Sequence, residues 1–165
     1  MCFVHFATIV IVQRITLLSI GPLKTRWIAE GCAQYLDRLR HAFDIEVVEL
    51  PASKEKDPVK QAAEESERLL AALSKKEGDV WVLDERGKAM TSAKFAESLG
   101  RARDAGRPVI FVLGGAYGLT EEVRQRAQVM LRLSDMTFPH ELCRLIFLEQ
   151  LYRAGEILKG SGYHH

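Results

Sequence analysis

The sequence has few cysteines, and the three present, Cys2, Cys32 and Cys143, form neither a C-x-x-C pair nor a metal-ligand spacing. A disulfide-stapled domain and a structural metal site therefore find no support, and the thiols read as small hydrophobic side chains in a reducing cytosol. No sign of charge dominates: 23 Lys and Arg stand against 22 Asp and Glu. The overall field of a strongly basic nucleic-acid binder is missing, so any polyanion must be met by local patches. No apolar run reaches the roughly 20 residues that cross a bilayer. The first twelve residues are apolar but stop at Gln13-Arg14, without a basic leader or a small-residue cleavage site, which argues against a secretory signal. There is no internal repeat, and the charge-rich stretch 54–67 carries both signs, as a solvated loop and helix face would.

What is present is enough for one self-sufficient domain. A chain of 165 residues buries roughly 70% of the surface its unfolded form exposes. A fresh strand pattern begins at Ile15, so residues 14–165 read as a single domain. Residues 1–13 are either an added edge strand or an N-terminal extension upstream of the domain. The extension is favoured, because charge-free strand-like segments left exposed aggregate.

From Ile15 onward, strand and helix patterns alternate. Residues 15–20, 45–50, 79–84, 108–113 and 130–133 are short and apolar, as strands of a buried sheet are. Between them, residues 23–43, a segment from Pro58 to about Lys76, one from Thr91 or Ser92 to Gly106, and a short one after Thr120 carry helical spacing. Asp57 suits an N-cap with Pro58 at the first helical position. A last helix runs from Pro139 to about Lys159. This β-α-β-α order predicts an α/β fold with a mostly parallel sheet.

In such sheets ligands bind beyond the carboxyl ends of the strands. The loops to inspect are Asp84-Glu85-Arg86-Gly87-Lys88, Gly114-Gly115-Ala116-Tyr117-Gly118, and residues 133–140. Adjacent glycines let the backbone pass close to a ligand, although G-G-x-x-G also suits a plain tight turn. It matches neither the dinucleotide nor the P-loop pattern. His140 is either a site residue or a locally bonded packing residue, and Met136 and Phe138 line either a pocket or the core. The chain ends in ionisable aromatic groups, Tyr163-His164-His165, delivered by a long helix, which suggests a tail held in a site.

Five ordered motifs together carry a resemblance. They are Leu83-Asp84-x-x-Gly87-Lys88, Phe111-Val112-Leu113-Gly114-Gly115-x-x-Gly118-Leu119, Leu133-Ser134-x-Met136-Thr137-Phe138-Pro139-His140, Glu149-Gln150-Leu151-Tyr152-Arg153-Ala154, and Tyr163-His164. From about Ile15 to its C-terminus, the chain resembles the RlmH family of SPOUT RNA methyltransferases. The resemblance implies a SPOUT-type α/β/α fold with a C-terminal trefoil knot, a cytoplasmic homodimer, and S-adenosylmethionine as cofactor, with no metal and no membrane. It implies that Leu83, Gly114, Gly115, Leu133, Ser134, Asp135, Met136, Thr137 and Phe138 surround that cofactor. The implied substrate is 23S rRNA within the assembled ribosome, methylated at N3 of a pseudouridine.

The chemistry of the residues agrees with that implication. Methyl transfer to a ring nitrogen needs an in-line approach and a base for the N3 proton. An imidazole titrates near neutrality, so His164 suits the base, and Tyr163 offers an aromatic face and a hydroxyl for a flipped-out base. Arg153 has a phosphate or the cofactor carboxylate as candidate partner, or a surface ion pair. The family pattern ends Tyr-His followed by Lys or Arg, whereas His165 stands here, weakening any phosphate contact at that place. Lys24, Arg26, Arg38 and Arg40 of the first helix are candidate ribosome contacts. Two other readings are a SPOUT methyltransferase acting on tRNA and a noncatalytic cofactor- or RNA-binding module. The missing extra RNA-binding domain argues against the former, and Tyr163-His164 against the latter.

Overall fold

The computed structural model describes residues 12–162. Five strands, β1 (Gln13–Ile20), β2 (Phe43–Leu50), β3 (Asp79–Ala89), β4 (Val109–Leu113) and β5 (Val129–Arg132), form one sheet. The helices are α1 (Arg26–Leu39), α2 (Pro58–Leu73), α3 (Ser92–Asp104), α4 (Glu121–Gln125) and α5 (His140–Lys159). Every strand pairing is parallel, in the spatial order β2-β1-β4-β3-β5. The mostly parallel sheet read from the sequence is therefore parallel throughout its described strands, with β4 inserted between β1 and β3.

Burial on both faces explains the composition of β4, all five of whose residues are buried. Phe111 and Leu113 join Leu17, Trp81, Phe95 and Phe147 in the cluster beneath α1, α3 and α5. Ile110 and Val112 join Leu18, Val80, Val82, Leu69 and Val123 on the other face, beneath α2 and α4. Alternate residues of one strand thus fill two cores, giving three layers, helix on sheet on helix. The rings of Phe111 and Phe147 lie 4.7 Å apart, which ties α5 to the central strand.

Several boundaries differ from the sequence reading. The first strand begins at Gln13, whose amide donates to the Arg107 carbonyl at 2.8 Å, so the strand starts one residue inside the segment set apart as an extension. Residues 40–43 do not continue α1, because Phe43 is buried as the first residue of β2. The tract 85–88 is no terminal turn: β3 continues through it to Ala89 after an irregularity between Leu83 and Lys88. Gly87 permits this. A Cβ there would meet the Leu131 backbone at 2.6 Å, so only glycine lets the resumed strand lie against β5. The expected cap is present: Asp57 accepts the Lys60 N–H at 2.9 Å.

The start of α5 is anchored by two side chains. Glu141 accepts the backbone N–H groups of Thr25 at 2.9 Å and Lys24 at 3.2 Å. Arg144, buried, donates to Glu49 at 2.7 Å and to the carbonyls of Ile20 and Gly21, both at 3.0 Å. These contacts hold α5 against the carboxyl end of β1. No helix among the described residues is long and apolar enough to cross a membrane.

Candidate active site

Beyond the carboxyl ends of β3, β4 and β5 lies a cavity of about 820 Å³, within the range of small-molecule sites. Three segments build it: the excursion of β3 at residues 83–86, the glycine turn 113–119, and residues 131–138 leading into α5. Each is the natural continuation of a buried strand, so the sheet sets their spacing and the loops set their shape.

All nine residues expected around the cofactor, Leu83, Gly114, Gly115, Leu133, Ser134, Asp135, Met136, Thr137 and Phe138, line this cavity. The two readings of Met136 separate here: it is 75% exposed at the rim and takes no part in the core. Its N–H donates to the Ser134 hydroxyl at 2.9 Å, which folds the rim back on itself. Asp135 pairs with Arg132 at 2.9 Å. His140 and Cys143 of α5 also face the cavity. Burial pushes the Cys143 thiol above its usual range, and it donates to the Phe138 carbonyl at 3.6 Å. It is therefore a protonated thiol rather than a nucleophile.

Arg153 lies elsewhere. It sits on α5 with its guanidinium on Glu149 at 2.7 Å and is not among the residues lining the cavity. Tyr163, His164 and His165 fall outside the described residues, as do residues 1–11. Of the candidate basic contacts, Lys24, Arg26, Arg38 and Arg40 are all exposed. Arg26 pairs with Glu30 at 2.8 Å, and the Arg38 guanidinium lies over the rings of Tyr35 and Tyr152.

Sequence reasoning missed one wall. Arg124 of α4 donates to Asp84 at 2.9 Å, and both line the cavity with side chains 13% and 4% exposed. Asp84 also accepts the Arg86 N–H at 2.9 Å, so the carboxylate stiffens the β3 excursion. A helix as short as α4 leaves no periodic signal, and nothing in the chain pairs positions 84 and 124. Tyr117, 53% exposed at the tip of the glycine turn, also lines the cavity.

The cavity fits the cofactor implied by the resemblance. Leu83, Leu113, Leu131, Leu133 and Phe138 offer apolar walls for a purine, and Ser134 and Thr137 offer hydroxyls. Packing behind the turn requires glycine at both positions: a Cβ on Gly114 would meet Leu119 at 3.0 Å, and one on Gly115 would meet Glu65. Among the described residues no cluster of His, Cys, Asp or Glu is placed to hold a metal ion.

Comparison with known proteins agrees with this geometry. The sequence family described as "Predicted SPOUT methyltransferase" matches residues 13–164. A protein of Nitratidesulfovibrio vulgaris named ribosomal RNA large subunit methyltransferase H is 46% identical over 156 residues, covering 93% of this chain and 99% of the relative. Proteins of the same name from Pelotomaculum thermopropionicum and Chromobacterium violaceum are 44% and 42% identical, each match covering 92% of this chain, and 98% and 99% of the relatives. A parallel α/β/α sheet whose strand tips converge on a glycine-walled cavity, matched along almost its whole length, places the chain in the SPOUT methyltransferase family.

Proposed function

We propose that this methyltransferase modifies N3 of a pseudouridine in 23S rRNA on the assembled ribosome, as a cytoplasmic homodimer formed by a single domain of residues 14–165. Its cofactor is S-adenosylmethionine, whose sulfonium supplies an electrophilic methyl group. Support comes chiefly from one observation: nine residues drawn from three separated motifs meet in one cavity at the strand tips. The name shared by the relatives, which span nearly the same length, supports the ribosomal substrate.

In this reading the walls from β3, β4 and the 133–138 segment hold the cofactor. The Asp84–Arg124 pair keeps the β3 excursion in place, and His164 accepts the N3 proton while Tyr163 stacks on the target base. The tail serves the partner subunit. Helix α5 is 20 residues long, about 30 Å, and its first residue faces the cavity. Toward its other end, Gly155 packs against Phe43, the first residue of β2, at the amino end of the strands. The five residues from Gly160 to His164 reach at most about 18 Å, short of the length of α5 that separates them from the same cavity. Arg153, on the same remote half of α5, belongs with the tail and meets substrate phosphate at the partner's site. That reach supports the homodimer. The C-terminal trefoil knot belongs to the same proposal.

Two measurements test the assignment. Wild-type protein should bind S-adenosylmethionine in a calorimetric titration and transfer tritiated methyl groups to ribosomes, not to isolated bulk tRNA. His164→Ala should bind the cofactor as wild type does, with methyl transfer lower by about 10²- to 10⁴-fold. Unchanged transfer would remove His164 from the mechanism.

A further inference from the structure

Behind the glycine turn, on the side away from the cavity, α2 buries two adjacent polar side chains, Glu65 and Ser66, each 1% exposed. Ser66 Oγ accepts the Thr120 N–H at 3.0 Å, which fixes the far end of the turn. Glu65 Oε1 accepts the Ser53 N–H at 3.0 Å and an N–H of the Gln61 amide at 3.2 Å. Of the two oxygens of Glu65, Oε1 makes all of its bonds to α2 and to the segment after β2, a junction that Glu64 on Ser53 and Arg68 on Pro51 also hold. Glu65 Oε2 is buried with no hydrogen-bond partner among the described residues. It leaves no room for a Cβ on Gly115, with Glu65 Cδ 3.1 Å from the place that atom would take.

A buried acceptor without a donor is destabilising, and such a group in a native fold calls for an explanation. A glutamine in its place would satisfy Ser53 equally well, since one oxygen suffices. A carboxylate differs in offering acceptors only, at both oxygens. The second oxygen faces the main chain of the turn, uncovered because residue 115 is glycine. We propose that Glu65 is a positioning residue for the cofactor site: Oε2 receives a backbone N–H of the 114–118 turn when S-adenosylmethionine fills the cavity, selecting the turn shape that binds it. This rests on the assignment of the cavity to that cofactor.

The test uses full-length protein and S-adenosylmethionine itself. Glu65→Gln preserves shape but puts an NH2 against the turn or, flipped, against the Ser53 N–H. It should weaken cofactor binding roughly tenfold, with a thermal midpoint within about 3 °C of wild type without cofactor. A purely structural role would move the midpoint and leave the affinity alone. A double-mutant cycle provides the second arm. Gly115→Ala should bind poorly because its methyl meets Glu65, and Glu65→Ala in that background should restore part of the affinity. Affinity of Glu65→Gln within twofold of wild type, or additive losses in the cycle, would overturn the proposal. Failure of wild-type protein to bind S-adenosylmethionine would remove the cavity's assignment and this inference together, whereas normal wild-type binding with an unaffected Glu65→Gln would remove this inference alone.

Discussion

Single residues near the start of α5 show how charge is used inside this fold. Glu141 stands in the first turn of α5 and bonds two backbone N–H groups, Thr25 foremost, which hold its carboxyl below the usual carboxylate range. Since the folded value is lowered, its contribution to stability is present above the unfolded value, about 4.3, and disappears as pH falls through the folded one. Glu141→Gln keeps one acceptor and loses the charge at the helix N-terminus. Wild type should exceed that variant by about 0.5–1 kcal/mol at pH 7. The gap should narrow as pH falls below the unfolded value and close once the folded carboxyl is protonated, in urea titrations at a series of pH values. A constant gap would show that the charge contributes nothing. Burial acts in the opposite direction on both described cysteines: it pushes the Cys32 thiol up to about 11 and raises Cys143 as well. A methyltransferase gains from this, because a thiolate beside a sulfonium would compete for its methyl group.

Among the elements, α5 carries the most responsibility. It packs under the sheet through Phe147, Leu148, Leu151 and Ala154, all fully buried, and its first turn borders the cavity. Its register on β1 is set by Arg144, whose guanidinium bonds Glu49 and two carbonyls. Arg144→Met should lower unfolding free energy by about 3 kcal/mol, because two carbonyls lose their donor. Glu49 is 42% exposed and can rehydrate, so the loss stays at the low end of the range for a broken buried pair. Chemical denaturation checks this, and a loss under 1 kcal/mol would mean that α5 is seated by its apolar face alone. The elements themselves were largely legible. Asp57-Pro58 announced α2, and the unbroken apolar run at 109–113 announced a strand covered on both faces. The tract at 84–88 was not, since turn-prone residues describe a strand excursion as well as a strand end. Only contact between Gly87 and the Leu131 backbone distinguishes them.

For the whole molecule, the proposed sharing of tails between subunits follows from the length of α5, whose first residue borders the cavity. That geometry predicts complementation between two defective proteins. Gly115→Ala damages the cavity and His164→Ala the tail, so each homodimer should be nearly inactive. Heterodimers formed by mixing and refolding should recover about a quarter of wild-type transfer, since half of the dimers then hold one intact site of two. Tritium-methyl transfer to ribosomes measures it. No recovery above the sum of the parents would place each tail in its own subunit's cavity.

The sequence by itself determined the order of strands and helices, the parallel direction that this order enforces, and the motifs that meet at the strand tips. These are local or periodic properties, written by apolar spacing, caps and glycines within short windows. Tertiary structure alone decided that β4 lies between β1 and β3, that Arg124 closes the wall opened by Asp84, and that Glu65 stands behind Gly115. Residues separated by 40 or 50 positions become neighbours only when both faces of the sheet must be buried at once. No window along the chain records that requirement.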